Sequence, residues 1–543
     1  MLGICLGVLF FLLAAGGATV GVLISKKIIN FGGGAGSAAD GSSGSGAGGK
    51  GPGSGLGPGT KQAACTAAED IPNDAKNTFL DPTSWLDNSD FNCTFTDETI
   101  GELPVVGLFS EWDDSAQANP NVPPLDQKWD YTKRPARGVN LGGWFSLEPF
   151  ITPSLFEFPQ SAGVVDEASL CEHLGPEEAA KTLEQHYATF ITEQDFQDIV
   201  NAGLDHLRIP YSYWAVETLP DDPYVSRISW RYLLRAIEWA RKYGLRIKLD
   251  MHGVPGSQNG WNHSGRQGKP GWLSGPDGEE NAKRTLEIHE KLAKFFAQPR
   301  YRNVIAFYGL VNEPAKVLNL EDVISWTEQA YDVVKENGIT APQVFSEGMQ
   351  GLPAWKGKLQ GHGDTLVVDV HQYMIFGGLL KTDHKAKIQF ACGSFLDQAK
   401  GSIDKSAGFG PTMIGEWSQA DTDCVRHLNG YNGGSRWEGT FGESMGVPMC
   451  PTGDEQCRCE LANSDPTSYT DEYKLFLKTF AISQMDAFEA TWGWFYWTWK
   501  AETAAQWSYK HGLDNGYMPQ KANDREWSCA EPIPSFGKLP EWF

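Results

Sequence analysis

Two glutamates in this chain close short apolar runs, and they are the residues best placed by type to do chemistry. The first run, Val304-Ile305-Ala306-Phe307-Tyr308-Gly309-Leu310-Val311, stops at Asn312-Glu313-Pro314. The second, Pro411-Thr412-Met413-Ile414-Gly415, is closed by Glu416 beside Trp417. Short runs rich in Val, Ile and aromatics and ended by a breaker read as strands buried on both faces. In a parallel barrel the C-terminal strand ends converge on one face, so both carboxyls are expected at one mouth. Two such groups are what glycosidic cleavage with retention requires, one to protonate the leaving oxygen and one to attack the anomeric carbon. Glu313 is the candidate acid and then base, and Glu416 the candidate nucleophile.

Other strand ends carry polar or aromatic side chains that suit the same chemistry. Arg208 is the cation expected to keep Glu416 ionised. Asn312 is placed to hydrogen-bond a sugar 2-hydroxyl. His371 and Tyr373 alternate along a strand end and so face one side, where they would orient the nucleophile. Glu148, His252 and Trp497 complete the set, with Trp497 as a floor for the first sugar. Each has a plainer explanation. Asn-Glu-Pro can simply end a strand, Arg208 can be an interior ion-pair partner, and His252 with the following 253–260 can stabilise a turn. The aromatics between Trp492 and Trp499 must be mostly core, because only one face of a strand can meet substrate. The set in chain order is what favours a site.

The elements that would position these residues follow a repeat of strand then helix. Strands are expected at 137–141, 204–210, 245–252, 304–312, 343–346, 365–371, 412–416 and 491–499. Helices are expected at 176–188, 193–202, 230–243 (with Ser229 as N-cap and Gly244 past the end), 278–298, 320–337, 395–402 and 471–490. Eight strands separated by helices predict an α/β fold, a (β/α)8 TIM barrel over 134–543, with a doubly wound open sheet as the alternative. Residues 65–133 are polar and proline-punctuated, with a strand candidate at 103–109, and read as a cover segment placed to close the bottom of the barrel.

Upstream, residues 2–24 are almost wholly apolar and long enough to span a bilayer, so 1–25 is expected to be a transmembrane signal anchor, with a cleaved signal as the alternative. Residues 26–64 form a Gly/Ser-rich linker. Lys26 and Lys27 after the span favour the cytoplasm for the following chain. Ten cysteines and the sequons at Asn92 and Asn262 favour the opposite side and concern the whole domain. The expected location is therefore a single-pass type II protein of the cell membrane, catalytic domain outside and facing the wall.

With 45 basic against 68 acidic residues, a net charge of −23 excludes nucleic acid and polyanions as natural partners and suits a neutral substrate. The 20 tryptophans suit sugar stacking, though much of that count is packing. Cys457-Arg458-Cys459 lacks zinc spacing, so no metal and no cofactor are expected. Gly442-Glu443-Ser444-Met445-Gly446 matches G-x-S-x-G but lacks the strand before and the helix after. His289-Glu290 lacks the second histidine of H-E-x-x-H.

The segments 137–144 (RGVNLGGW), 208–210 (RIP), 249–260 (LDMHGVPGSQNG), 312–314 (NEP), 371–373 (HQY), 415–418 (GEWS) and 497–500 (WTWK) together resemble the fungal exo-β-1,3-glucanases of glycoside hydrolase family 5. The resemblance covers about 134–530, and the tethered N-terminus looks like the membrane-anchored members. It implies a retaining exo-hydrolase that removes glucose from the non-reducing ends of β-1,3-glucan in cell-wall remodelling, with some transglycosylation; a monomer is expected. By position it implies Glu313 as proton donor and Glu416 as nucleophile, with Glu148, Arg208, His252, Asn312, His371, Tyr373 and Trp497 around the first subsite. It further implies an aromatic pair at the entrance, Trp261 and Phe376, and disulfides joining Cys392 to Cys529 and Cys424 to one of Cys450, Cys457 and Cys459. The competing readings are a β-glucosidase acting on β-1,6-glucan or a glucosylated lipid, and a wall-binding barrel without activity.

Overall fold

The computed structural model describes residues 73–81, 85, 93–100, 103–108, 112–442 and 446–541, with backbone alone over 93–100 and 103–108. The expected span 1–25, the linker 26–64 and most of the G-x-S-x-G match lie outside the described residues. Among the described residues no helix is long and apolar enough to cross a membrane.

Two strands, β1 (Cys93–Ile100) and β2 (Leu103–Leu108), pair antiparallel as a hairpin within the cover segment. The next eight close a parallel barrel: β3 (Ala136–Asn140), β4 (His206–Ser212), β5 (Arg246–Gly253), β6 (Ile305–Gly309), β7 (Gln343–Ser346), β8 (Leu366–Gln372), β9 (Thr412–Trp417) and β10 (Gly493–Tyr496), with β10 hydrogen-bonded to both β9 and β3. Closure rules out the open-sheet alternative. The helices are α1 (Glu167–Thr189), α2 (Glu193–Asn201), α3 (Ile228–Lys242), α4 (Gly278–Phe296), α5 (Leu320–Glu336), α6 (His384–Phe390), α7 (Leu396–Ile403), α8 (Cys459–Ala462), α9 (Asp471–Phe488) and α10 (Tyr509–Asn515). Ten tryptophans are fully buried between strands and helices, so half of the chain's tryptophan count is packing.

Several boundaries differ from the periodicity reading. The first helix begins at Glu167, not at 176, because Asp166 accepts a hydrogen bond from Ser169 N and caps it. Gly175, at φ 73°, breaks the run just before Pro176, where a sequence pattern restarts. The third helix is capped by Arg227 in a left-handed conformation, so Ser229 lies inside it. β6 and β10 are shorter than their apolar runs because Leu310 and Val311, and then Trp497 to Trp499, leave the ladder to form the barrel rim. Helix α6, which joins α7 through a π turn at Ala391–Phe395, escapes the pattern altogether.

The end of the cover segment plugs the barrel's N-terminal end. The Tyr131 ring packs on Phe307 and Trp492, and its hydroxyl meets His206 Nε2 at 3.0 Å. Arg246 fastens the segment from the barrel side by donating to Pro124 O and Gln127 O. With that end filled by side chains, the opposite rim is where a small molecule can enter.

Above the plug the barrel interior is charged. Strand alternation points Arg208 from β4, Lys248 and Asp250 from β5, and Asp369 from β8 inward, and all four are buried. Arg208 pairs with Asp250 at 2.9 Å, and Lys248 pairs with Asp369. Buried charges persist only when so paired. Three disulfides lie in the described region: Cys392–Cys529, Cys424–Cys459 and Cys450–Cys457; Cys171 is a buried free thiol.

Candidate active site

A cavity of about 860 Å³ opens at the C-terminal rim, and nine of the eleven sequence-selected residues line it: Glu148, His252, Trp261, Glu313, His371, Tyr373, Phe376, Glu416 and Trp497. Arg208 and Asn312 lie one layer below, behind the carboxyls.

Glu416 is the penultimate residue of β9, with both oxygens engaged. Arg208 Nη1 donates to Oε1 at 2.6 Å and the Tyr373 hydroxyl donates to Oε2 at 2.8 Å. Arg208 also donates to Asn140 Oδ1 and Asn312 Oδ1, at 2.9 and 2.7 Å, so its plane is fixed by strands on three sides. Burial pushes Glu416 upward, against the His371 and Arg208 charges. Guanidinium and phenol hydrogens aimed at both oxygens favour its anionic form.

Glu313 follows β6 in a left-handed conformation, φ 44°, a backbone state a glutamate holds only when its surroundings impose it. The imposing element is the loop 253–260. Gln258 Nε2 donates to Asn312 O at 2.8 Å and to His252 O at 2.7 Å, and Asn259 Nδ2 donates to Glu313 O at 3.2 Å. The turn-stabilising role considered for this stretch is thus real, and the backbone it stabilises is that of Asn312 and Glu313. Asn312 spends its oxygen on Arg208, leaving Nδ2 as a buried donor without a partner.

His371 links the two carboxyls. Its Nδ1 lies 2.6 Å from Glu313 Oε1 and 3.3 Å from Glu416 Oε2, and its Nε2 lies 3.5 Å from Asp369. One oxygen of Glu313 and one of Glu416 are within 4.8 Å of each other. Burial opposes charge on His371, yet Glu416 and Glu313 raise it to about 10; burial likewise opposes charge on Glu313, yet His371 holds it at about 2. The two shifts describe one contact, which keeps one proton between an imidazole and a carboxyl across the neutral range.

On the far wall His252 lies parallel to Trp497, ring centroids 5.5 Å apart, with its Nδ1 2.8 Å from Asp250. Glu148 lies 3.9 Å from His252 Nε2. Burial, then the Glu416 and Glu313 charges, push Glu148 well above the carboxylate range, which favours a protonated, hydrogen-donating group. Trp261 and Phe376 stand at the entrance, 44% and 47% exposed, and Arg436 lies over the rings of Phe376 and Phe441.

Two sets of side chains, Glu148 with His252 and His263, and Glu313 with His371 and Glu416, each bring donor atoms within 4.8 Å of one another. In the second every group is already ion-paired, and in the first burial and the neighbouring carboxyls push Glu148 upward.

Residues that sequence reading passed over include Asp250 and Asp369, each two positions before a selected histidine and therefore on the same strand face. Period two alone could have found them. His263 and Arg436 come from loops with no such period. Asn262, part of a sequon, lines the cavity, and Ser264 Oγ is held between Ser257 Oγ and Trp261 O, so the sequon belongs to the wall of the site.

Residues 172–431 match cellulase, glycosyl hydrolase family 5. The matched stretch takes in β4 to β9 and both glutamates. Relatives extend the likeness beyond the matched residues. "Probable glucan 1,3-beta-glucosidase D" of Aspergillus clavatus is 55% identical over 480 residues, covering 88% of this chain and 58% of that protein. "Glucan 1,3-beta-glucosidase D" of Emericella nidulans is 54% identical over 478 residues, covering 88% and 57%. The chain thus spans under two thirds of the length of these curated relatives. Among solved structures, AoRut aligns with a TM-score of 0.56 at 23% identity and the rutinosidase of Aspergillus niger with 0.55 at 22%, each over 72% of this chain and 99% of the other. At that identity they speak to the fold alone.

Proposed function

We propose that the chain is a retaining exo-glycosidase that releases glucose from the non-reducing ends of β-1,3-glucan, acting in remodelling of a fungal cell wall. The observation that carries this reading is the pair Glu313 and Glu416, with carboxyl oxygens within 4.8 Å across a sugar-sized cavity. Retaining enzymes hold the two groups about 5–5.5 Å apart, whereas inverting ones leave about 6.5–9.5 Å for a water between them. The names of the Aspergillus and Emericella relatives support the linkage and the release of single glucose units.

In the first half-reaction a Glu416 oxygen attacks the anomeric carbon as the glycosidic bond breaks. The proton held in the Glu313–His371 contact passes to the departing oxygen. Arg208 and Tyr373 keep the attacker ionised and aimed, and Asn312 Nδ2, the remaining donor beneath the site, serves the sugar's 2-hydroxyl. In the second half-reaction Glu313 takes a proton from water as that water displaces Glu416.

The rest of the reading concerns placement. The protein is a monomer anchored through 1–25 as a single-pass type II protein, with 26–64 as tether, 65–133 as cover and 134–543 as the catalytic domain outside the cell. Three disulfides support an oxidising compartment.

Time-resolved product sizing and proton NMR on laminarin test the reading. Glucose alone from the first time point, appearing as the β-anomer, is expected, with Glu416→Gln inactive. Mixed oligosaccharides from the start would overturn exo action, the α-anomer would overturn retention, and faster hydrolysis of pustulan would overturn the linkage.

A further inference from the structure

We propose that His263 is a positioning residue for the second half-reaction, holding the Glu313 carboxylate in place while it activates water. The inference rests on the retaining reading given above. His263 lies in the short turn Asn262–Ser264, and its side chain is 14% exposed. Its Nε2 is 3.3 Å from Glu313 Oε2, while His371 Nδ1 takes Oε1 at 2.6 Å. The carboxyl therefore sits between two imidazoles, one at each oxygen.

The two rings are electrically unlike. His371 faces Glu313, Glu416 and Asp369, and its charge depends on them. His263 packs against the rings of His252 and Trp261, with centroids 5.2 and 5.5 Å away, and burial pushes it down to about 4. A neutral imidazole has one N–H. Its Nδ1 is buried without a partner, so the tautomer suited to a carboxylate neighbour carries its hydrogen on Nε2, 3.3 Å from Oε2 and in reach to donate to it.

A hydrogen bond of this kind favours the anionic carboxyl over the neutral one. That is the state Glu313 must start from when the glucosyl group is on Glu416. Water then loses a proton to Glu313 as its oxygen bonds the anomeric carbon, and the carbon–oxygen bond to Glu416 breaks with its electron pair returning to that carboxylate. While Glu416 is esterified its charge no longer supports protonation of His371. The contact from His263, a neutral ring, does not need that charge. The turn is itself fixed: Ser264 Oγ bridges Ser257 Oγ and Trp261 O at 2.6 and 2.7 Å.

The test compares His263→Phe, which keeps a ring without a donor, with His263→Gln, which restores a donor, using 2,4-dinitrophenyl 2-deoxy-2-fluoro-β-glucoside. This probe forms the glucosyl-enzyme and lets its hydrolysis be timed separately. Because a hydrogen bond to a charged group contributes about 1.5–3 kcal/mol, His263→Phe should regain activity at least about 10-fold more slowly after trapping, with the trapping rate within about 3-fold of the parent. His263→Gln should regain activity within about 3-fold of the parent. Equal reactivation of parent and His263→Phe, or equal impairment of both variants, would overturn the role of His263. Failure of the probe to label Glu416 in the unaltered protein would overturn the retaining reading instead.

Discussion

The hydroxyl of Tyr373 reaches Glu416 Oε2 at 2.8 Å and stands beside His371, so it shapes the nucleophile without taking part in proton transfer. Tyr373→Phe removes one hydrogen bond to a charged oxygen and little volume. A loss of about 1.5–3 kcal/mol in transition-state stabilisation is expected, roughly 10- to 100-fold in kcat/KM, read by steady-state kinetics on laminarin. An unchanged kcat/KM would mean that Arg208 alone fixes the carboxylate. Both partners of Glu416 were legible in the sequence, because Arg-Ile-Pro and His-Gln-Tyr fall at strand ends. His263 was not, since a turn between two glycines carries no period that says which way a side chain points.

Strand β9 shows how an element meets its neighbours' demands. Asp369 on β8 accepts the Gly415 N–H at 2.6 Å, one residue before the nucleophile, and also pairs with Lys248. A Cβ at Gly415 would lie 2.2 Å from both Asp369 carboxylate oxygens. Gly415→Ala must therefore shift β9 or displace a buried charge. A loss of about 1–3 kcal/mol in stability is expected from overpacking, with kcat lowered up to about 100-fold as Glu416 moves. Gly401→Ala in α7 meets nothing within 4 Å and should stabilise by about 0.5–1 kcal/mol, so thermal melting and kinetics on the pair separate crowding from a general intolerance of side chains. If both variants match the parent, β9 has room that its packing denies. The glycine before the glutamate was visible in the sequence, but its reason was not, because the reason is an aspartate 46 residues away.

Across the whole molecule the site is a balance of buried charges, and this sets the pH dependence of stability. Burial opposes ionisation of Asp250, but Arg208 and His252 hold it at about 2, below the ordinary 3.8. Its contribution, about 2 kcal/mol, is present above pH 4 and lost as pH falls through 2. Burial also opposes charge on His371, yet its carboxylate partners raise it from 6.5 to about 10, so its contribution is complete below pH 6.5 and lost as pH rises through 10. Glu148, pushed upward by burial and by Glu416, acts in the same direction as His371. The melting temperature should therefore peak between about pH 4.5 and 6.5, and Asp250→Asn should flatten the acid side. A maximum above pH 8 would sink this account.

What the sequence by itself determined is the local part: eight apolar runs with the right period, breakers at their ends, and polar side chains set just at those ends. Those follow from neighbouring residues alone, so the barrel and seven residues of its cavity wall could be named beforehand, while Trp261 and Phe376 came only through the family resemblance. Only the tertiary structure decided that Glu313 and Glu416, 103 positions apart, lie within 4.8 Å, that Cys424 pairs with Cys459 and Cys450 with Cys457, and that a cover segment plugs the lower end while loops supply His263 and Arg436 above. Each of those depends on where the barrel closes, and closure is a sum over all eight strands that no short stretch of chain contains.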